Sequence, residues 1–165
     1  MGFFIENIIY ILIPVIPNLI FLFIPPKSVP AVKPGERGEK LLAVLERVGQ
    51  IGMLVLPLFW KVQTEGALQV AAIIVMAGSA LFYYAGWLRY YIRGGEYAWL
   101  FAPMLKIPVP MAVSPALYFL ALSAAERSPV LGAAAVIFAA GHIPLSWRNY
   151  RNTGSEHITE NSGGK

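Results

Sequence analysis

Apolar residues fall in five long blocks, near 3–24, 41–60, 67–90, 108–125 and 129–147, parted by short polar pieces such as KVQTEG (61–66) and ERSP (126–129). A membrane-spanning helix needs roughly 17–25 mostly apolar residues, and each block meets that length. The pattern predicts an all-α integral membrane protein: one five-transmembrane-helix bundle over residues 1–151, then a polar, disordered tail over 152–165. Ser128 before Pro129 reads as an N-cap followed by a first-turn proline, opening the fifth helix. The first block carries no Lys or Arg ahead of its apolar run, so it does not read as a signal peptide.

The first block contains an anomaly, IPVIPNLIFLFIPP at 13–26. A proline inside a helix lacks the amide donor and crowds the carbonyl four residues back. Pro14 therefore frees the carbonyl of Tyr10, and Pro17 that of Ile13. In hydrocarbon such carbonyls need new partners from a neighbouring helix, a side chain or a wet cavity.

Charge adds orientation. Eleven of the thirteen Lys and Arg residues fall in the first and third connections, just beyond the first, or after the fifth block; Lys61 and Arg127 are the other two. The positive-inside bias then predicts an external N-terminus and a cytoplasmic C-terminus, as expected for a multi-pass protein of a cell membrane, such as a bacterial inner membrane. The same distribution explains the net charge of +4 without nucleic acid. The first connection, PPKSVPAVKPGERGEK, predicts an extended, semi-rigid cytoplasmic segment. The third mixes Arg89, Arg93 and Lys106 with Tyr90, Tyr91, Tyr97 and Trp99, and reads as an interfacial aromatic belt with cations toward lipid headgroups. Trp60, Trp87, Trp99 and Trp147 all read as interface anchors at span ends.

Composition excludes several chemistries. The chain has no Cys and no Asp, so disulfides, thiol catalysis and aspartate-rich magnesium sites are absent. His142 and His157 are 15 apart, the second in the tail, and no clustered ligand set suggests a metal. RGGEY (93–97) is a glycine turn, not a phosphate cradle. No cofactor is expected, and the balance leans away from an enzyme.

What remains is a set of polar residues inside the spans. At 1.5 Å per residue, Asn18 lies roughly 9 Å from the cytoplasmic end of the first helix, with Glu46 and Arg47 near that depth in the second and Gln50 slightly deeper. Tyr83 and Tyr84, Ser114, and His142 complete the level on the third, fourth and fifth helices. Glu46, Gln50 and Met53 share a face by i,i+3 and i,i+4 spacing. The outer halves, with VMAG, AAVIF and MLVLPLF, are drier. Asn18, Glu46, Arg47, Gln50, Tyr83, Tyr84, Ser114 and His142 are therefore the candidate ligand-binding residues of a cytoplasm-facing polar pocket. Interhelical hydrogen bonding is the competing account of the same residues.

Small residues recur at helix spacing: Ala71, Gly78 and Ala85; Ala72, Ser79 and Gly86; Gly132, Ala135 and Ala139; and Ala133 with Gly141. They predict close packing within the bundle or across a dimer. The function expected is binding or transport of a small or amphipathic ligand. The alternatives are a structural or assembly subunit whose polar residues only hold helices together, and a lipid-modifying enzyme with His142 as acid–base group; a buried Arg47 would pair with an anionic ligand or with Glu46 of a second subunit. The expected partners are membrane lipids, such a ligand, and a second copy or a membrane partner protein.

Overall fold

The computed structural model of the chain describes residues 2–29 and 37–162, and of 37 and 154–162 the backbone alone. The proline-rich centre of the first connection and the side chain of His157 thus lie outside the described residues. Helix accounts for 78% and no strand forms among the described residues, which settles the all-α class.

Five α-helices follow one another: α1 (Ile8–Phe23), α2 (Arg37–Val55), α3 (Ala67–Ile92), α4 (Pro110–Ala125) and α5 (Pro129–Ser162). Short 3-10 helices lead into α1 (Ile5–Asn7), extend α2 (Leu56–Phe59) and interrupt the α3–α4 connection (Tyr97–Leu100). Four stretches are long and apolar enough to cross a membrane: Ile5–Phe23, Gly38–Phe59, Ala67–Ile92 and Pro129–Thr153. α4 differs. Its 16 residues rise only about 24 Å, short of the ~30 Å hydrocarbon layer. It is also the most enclosed helix, with Leu122 and Ala125 fully buried. The backbone of α5 stays helical through Ser162, beyond the 129–147 block.

Local chemistry sets the ends. The Ser128 hydroxyl accepts the Leu131 amide at 3.3 Å and caps α5, as Ser-Pro implied. The RGG sequence closes α3: Gly94 and Gly95 take φ of 82° and 76°. Their amides reach back to Tyr91 and Tyr90, a Schellman closure that needs left-handed backbone at Gly94.

The helices alternate in direction. At one end the Phe4 amide bonds Leu58 O, and the Gln63 amide bonds Ala125 O. At the other, Lys27 pairs with Gly95 and Tyr97 through the backbone, and Arg148 bridges Glu39 at 2.6 Å. This second end also carries Lys40, Arg89, Arg93 and Lys106 and is called the basic end below.

α2 packs on α5, α5 on α4, and α4 on α3, while α1 touches α3 more sparsely. The α2–α5 seam is built on missing side chains. A Cβ at Gly49 would collide with the Phe138 backbone, and one at Gly141 with the Glu46 amide and the Leu42 carbonyl. At Gly52 it would lie 2.7 Å from the Ala134 methyl. The small-residue pattern on α3 divides: Ala72, Ser79 and Gly86 are buried, whereas Ala71, Gly78 and Ala85 face outward. Sequence shows the heptad repeat but not which of two adjacent repeats meets α4.

α1 is joined differently. Pro14 and Pro17 are its buried residues, so the face with broken hydrogen bonds is the one turned inward. The Tyr118 hydroxyl of α4 donates to Tyr10 O at 2.9 Å, and the Tyr84 hydroxyl of α3 donates to Ile13 O at 2.8 Å. These are the two carbonyls that the prolines free. Side chains of neighbouring helices satisfy them.

Candidate ligand-binding site

One cavity of about 240 Å³ opens near the basic end, between α1, α3, α4 and α5. It has room for several waters. Asn18 and Phe21 of α1 form one wall, and Tyr83 and Trp87 of α3 the next. Met111 and Ala112 at the start of α4 form the third, and His142 and Ser146 of α5 the fourth. Leu100 and Phe101 from the α3–α4 connection complete the lining.

That connection folds back because Arg89 holds it. Its guanidinium donates to Pro103 O at 2.7 Å, Ala102 O at 2.6 Å and Trp99 O at 3.2 Å. Trp99 lies under both Arg89 (5.4 Å) and Arg93 (4.7 Å). Arg89, expected to face headgroups, is therefore spent on its own loop. The carbonyls following a short 3-10 helix are strong acceptors, and the cation sits among them.

The cavity's polar groups are few and mutually arranged. The Asn18 amide donates to Pro14 O and to the Tyr83 hydroxyl, both at 3.0 Å, which ties α1 to α3. His142 Nδ1 and Glu46 Oε1 are 2.6 Å apart, and the imidazole stacks on Phe138 at 4.6 Å. Gly141 makes this pair possible. Without a side chain there, α2 comes close enough for Glu46 to reach the next residue of α5. Glu46 thus orients His142 from behind, the arrangement that fixes an imidazole for hydrogen bonding or proton transfer.

The structure brings Asn18, Tyr83 and His142 into one cavity, with Glu46 behind it. Tyr84 is half-exposed and serves the Ile13 carbonyl. Ser114 is buried and bonds Pro110 O in its own helix at 2.7 Å, beside a crevice too narrow for water. Arg47 and Gln50 face outward on α2, away from the cavity. The inward stripe of α2 is Glu46, Gly49 and Met53, so Gln50 falls outside the face it was expected to share. Trp87 is a correction of another kind. It is 5% exposed inside an aromatic cluster with Phe21, Tyr83 and Tyr90, not an interface anchor.

Sequence reasoning passed over Ser146, although it lies one turn beyond His142 on the same face. It also passed over the apolar lining, whose residues carry no signal separate from core. At the opposite end it passed over Asn7 and Glu126, both almost fully buried. The Asn7 amide donates to Pro57 O at 2.7 Å and Trp60 O at 2.6 Å, and Glu126 Oε1 lies 3.5 Å away. Burial pushes the Glu126 carboxyl, in the α4–α5 turn, up to about 8. Among the described residues no three His, Cys, Asp or Glu gather as a metal would require.

Comparison with protein families, with curated proteins and with solved structures finds no match to this chain.

Proposed function

We propose that the chain is a multi-pass membrane protein of five crossing helices that binds a small or amphipathic ligand in the cavity between α1, α3, α4 and α5. α4 crosses as the enclosed helix, which explains how 16 residues suffice: its ends meet protein instead of lipid. The basic end faces the cytoplasm and the N-terminus lies outside, in keeping with the charge bias. The observation that carries the reading is the meeting of Asn18, Tyr83 and His142, from three helices, on one cavity of about 240 Å³. Ligand sites of membrane bundles lie between helices and combine apolar walls with a few placed polar groups.

A second reading rests on Arg47 and Gln50. They stand among exposed Val44, Val48 and Ile51 on the outward face of α2. Polar groups inside a span usually find partners, and here a neighbouring membrane protein or second copy would supply them. The binding and assembly readings share one topology, which is tested first. The chain has no native Cys, so single cysteines report cleanly. Gln63→Cys and Arg127→Cys should label from outside intact cells with a membrane-impermeant reagent, and Ser28→Cys and Ser155→Cys should not. The reverse pattern would overturn the assigned side of the cavity.

A further inference from the structure

We infer that the ligand carries an uncharged hydroxyl head, an alcohol or phenol on an apolar body, with the hydroxyl between His142 and Ser146. The inference rests on the cavity being a ligand site and adds the chemistry of what enters it.

Charge is the first argument. No Lys or Arg lines the cavity. Arg89, the nearest candidate in sequence, is engaged with three carbonyls of its loop. His142, the one ionisable basic side chain in the lining, is paired with Glu46, so it offers no uncompensated positive charge to a phosphate or carboxylate. An anionic head would enter without compensation. A cationic head would find no carboxylate in the lining, because Glu46 stands behind His142, and an ammonium, which only donates, would leave the buried Trp87 Nε1–H unpaired.

Hydrogen-bonding capacity is the second. His142 Nδ1 is taken by Glu46, leaving Nε2 as the ring atom without a bond among the described residues. Ser146 is buried and lines the same wall, and its hydroxyl has no described partner either. On the other wall the Asn18 amide nitrogen is committed to Pro14 O and Tyr83, leaving its oxygen free to accept. The free groups are thus one ring nitrogen, one serine hydroxyl, one amide oxygen and the buried Trp87 Nε1–H, which has no acceptor among the described residues. A hydroxyl both donates and accepts, so it satisfies the ring nitrogen in either tautomer and the serine at once. A ketone or ester would serve the serine and leave two acceptors unpaired. The apolar body then lies against Phe21, Trp87, Phe101 and Met111, whose rings and sulfur suit an adaptable apolar contact.

The test uses three photoreactive probes with the same sixteen-carbon diazirine chain and different heads: hexadecanol, hexadecanoate and hexadecylammonium. Each is added to the full chain in phosphatidylcholine vesicles, and crosslinked peptides are mapped by mass spectrometry with and without excess plain hexadecanol. The alcohol should label the segments carrying Phe21, Trp87 and Met111, and plain hexadecanol should compete this away. The two charged probes should give no competable labelling there. His142→Leu should reduce the competable alcohol signal about fivefold, the loss of one hydrogen bond, in protein that remains folded. Ser146→Ala supplies the same readout if His142→Leu does not fold. Cavity labelling by a charged probe at or above the alcohol would overturn the hydroxyl head and leave the binding reading standing. Undiminished labelling in a folded variant would remove that side chain from the head's site and overturn its placement. Absence of competable cavity labelling by every probe would overturn the binding reading and this inference with it.

Discussion

The α2–α5 seam and the α1–α3/α4 contact join helices by opposite means. At the seam, Gly49, Gly52 and Gly141 remove side chains so that backbones touch, and the His142–Glu46 and Arg148–Glu39 pairs add polar links between the two helices. At α1, two prolines break the helix's own bonding, and hydroxyls from Tyr84 and Tyr118 repair it from outside. Close backbone packing is bistable at best and admits no gap. Hydrogen bonds to a proline-broken carbonyl tolerate small shifts, because a water or a ligand group can replace a hydroxyl. The cavity lies along α1 and not along the seam. The difference teaches where the bundle is fixed and where it has room to receive something.

The largest effect should come from the seam. Gly141→Leu drives a side chain into the backbone of α2, and overpacking of this kind typically costs about 1–3 kcal/mol and more where backbone must move. We expect most of the folded, detergent-extractable protein to be lost, measured by size-exclusion profile and thermal unfolding. A stable Gly141→Leu protein would mean that the seam is looser than described.

The next effect belongs to the entry of α1, where Asn7 and Glu126 meet. A carboxyl raised to about 8 in the folded chain binds a proton that the unfolded chain releases near 4.5. Folding therefore gains most from this group below about pH 4.5, loses that gain progressively as pH rises to about 8, and changes no further above it. The melting temperature should fall on the order of 5 °C between pH 5 and pH 8, and Glu126→Gln should flatten the slope. An unchanged slope in Glu126→Gln would assign the titration elsewhere.

The smallest effect should come from single repairs of α1. Tyr84→Phe and Tyr118→Phe each strand one carbonyl, at about 0.6 kcal/mol and up to ~1.7 for a membrane hydrogen bond. Both should remain folded, with melting slightly lowered. If either equals Gly141→Leu in effect, the contrast between the two contacts fails.

The all-helical class was legible because long apolar blocks of this length fold as helices, and the capping chemistry of Ser128 and Gly94 needs no tertiary information. The inward face of α1 was legible too: the prolines themselves named the carbonyls, Tyr10 and Ile13, that would need partners. The identity of those partners was not, since Tyr84 and Tyr118 resemble any tyrosine in a span. Asn18, Tyr83 and His142 were found because polar residues are rare in apolar blocks. The same rule selected Arg47 and Gln50, which face outward, because in lipid the hydrophobic pattern no longer distinguishes inside from outside. Glu46, Gly49 and Met53 form the inward stripe, and the glycine that decides it carries no polarity to read. Trp87 was misplaced for a related reason: near a helix end, an aromatic anchor and a buried aromatic look alike.

The central claim is that a solvent-sized cavity exists on the basic side of the bundle, and α4 offers a direct test. Ala112 and Ala116 are one turn apart and both 3% exposed, yet Ala112 lines the cavity and Ala116 packs in the core. Single-cysteine variants at the two positions differ only in what lies before them. With a small methanethiosulfonate reagent applied from the side of the basic end, Ala112→Cys should react while Ala116→Cys stays inert. Equal inertness of the two folded variants would contradict the cavity, and with it the site.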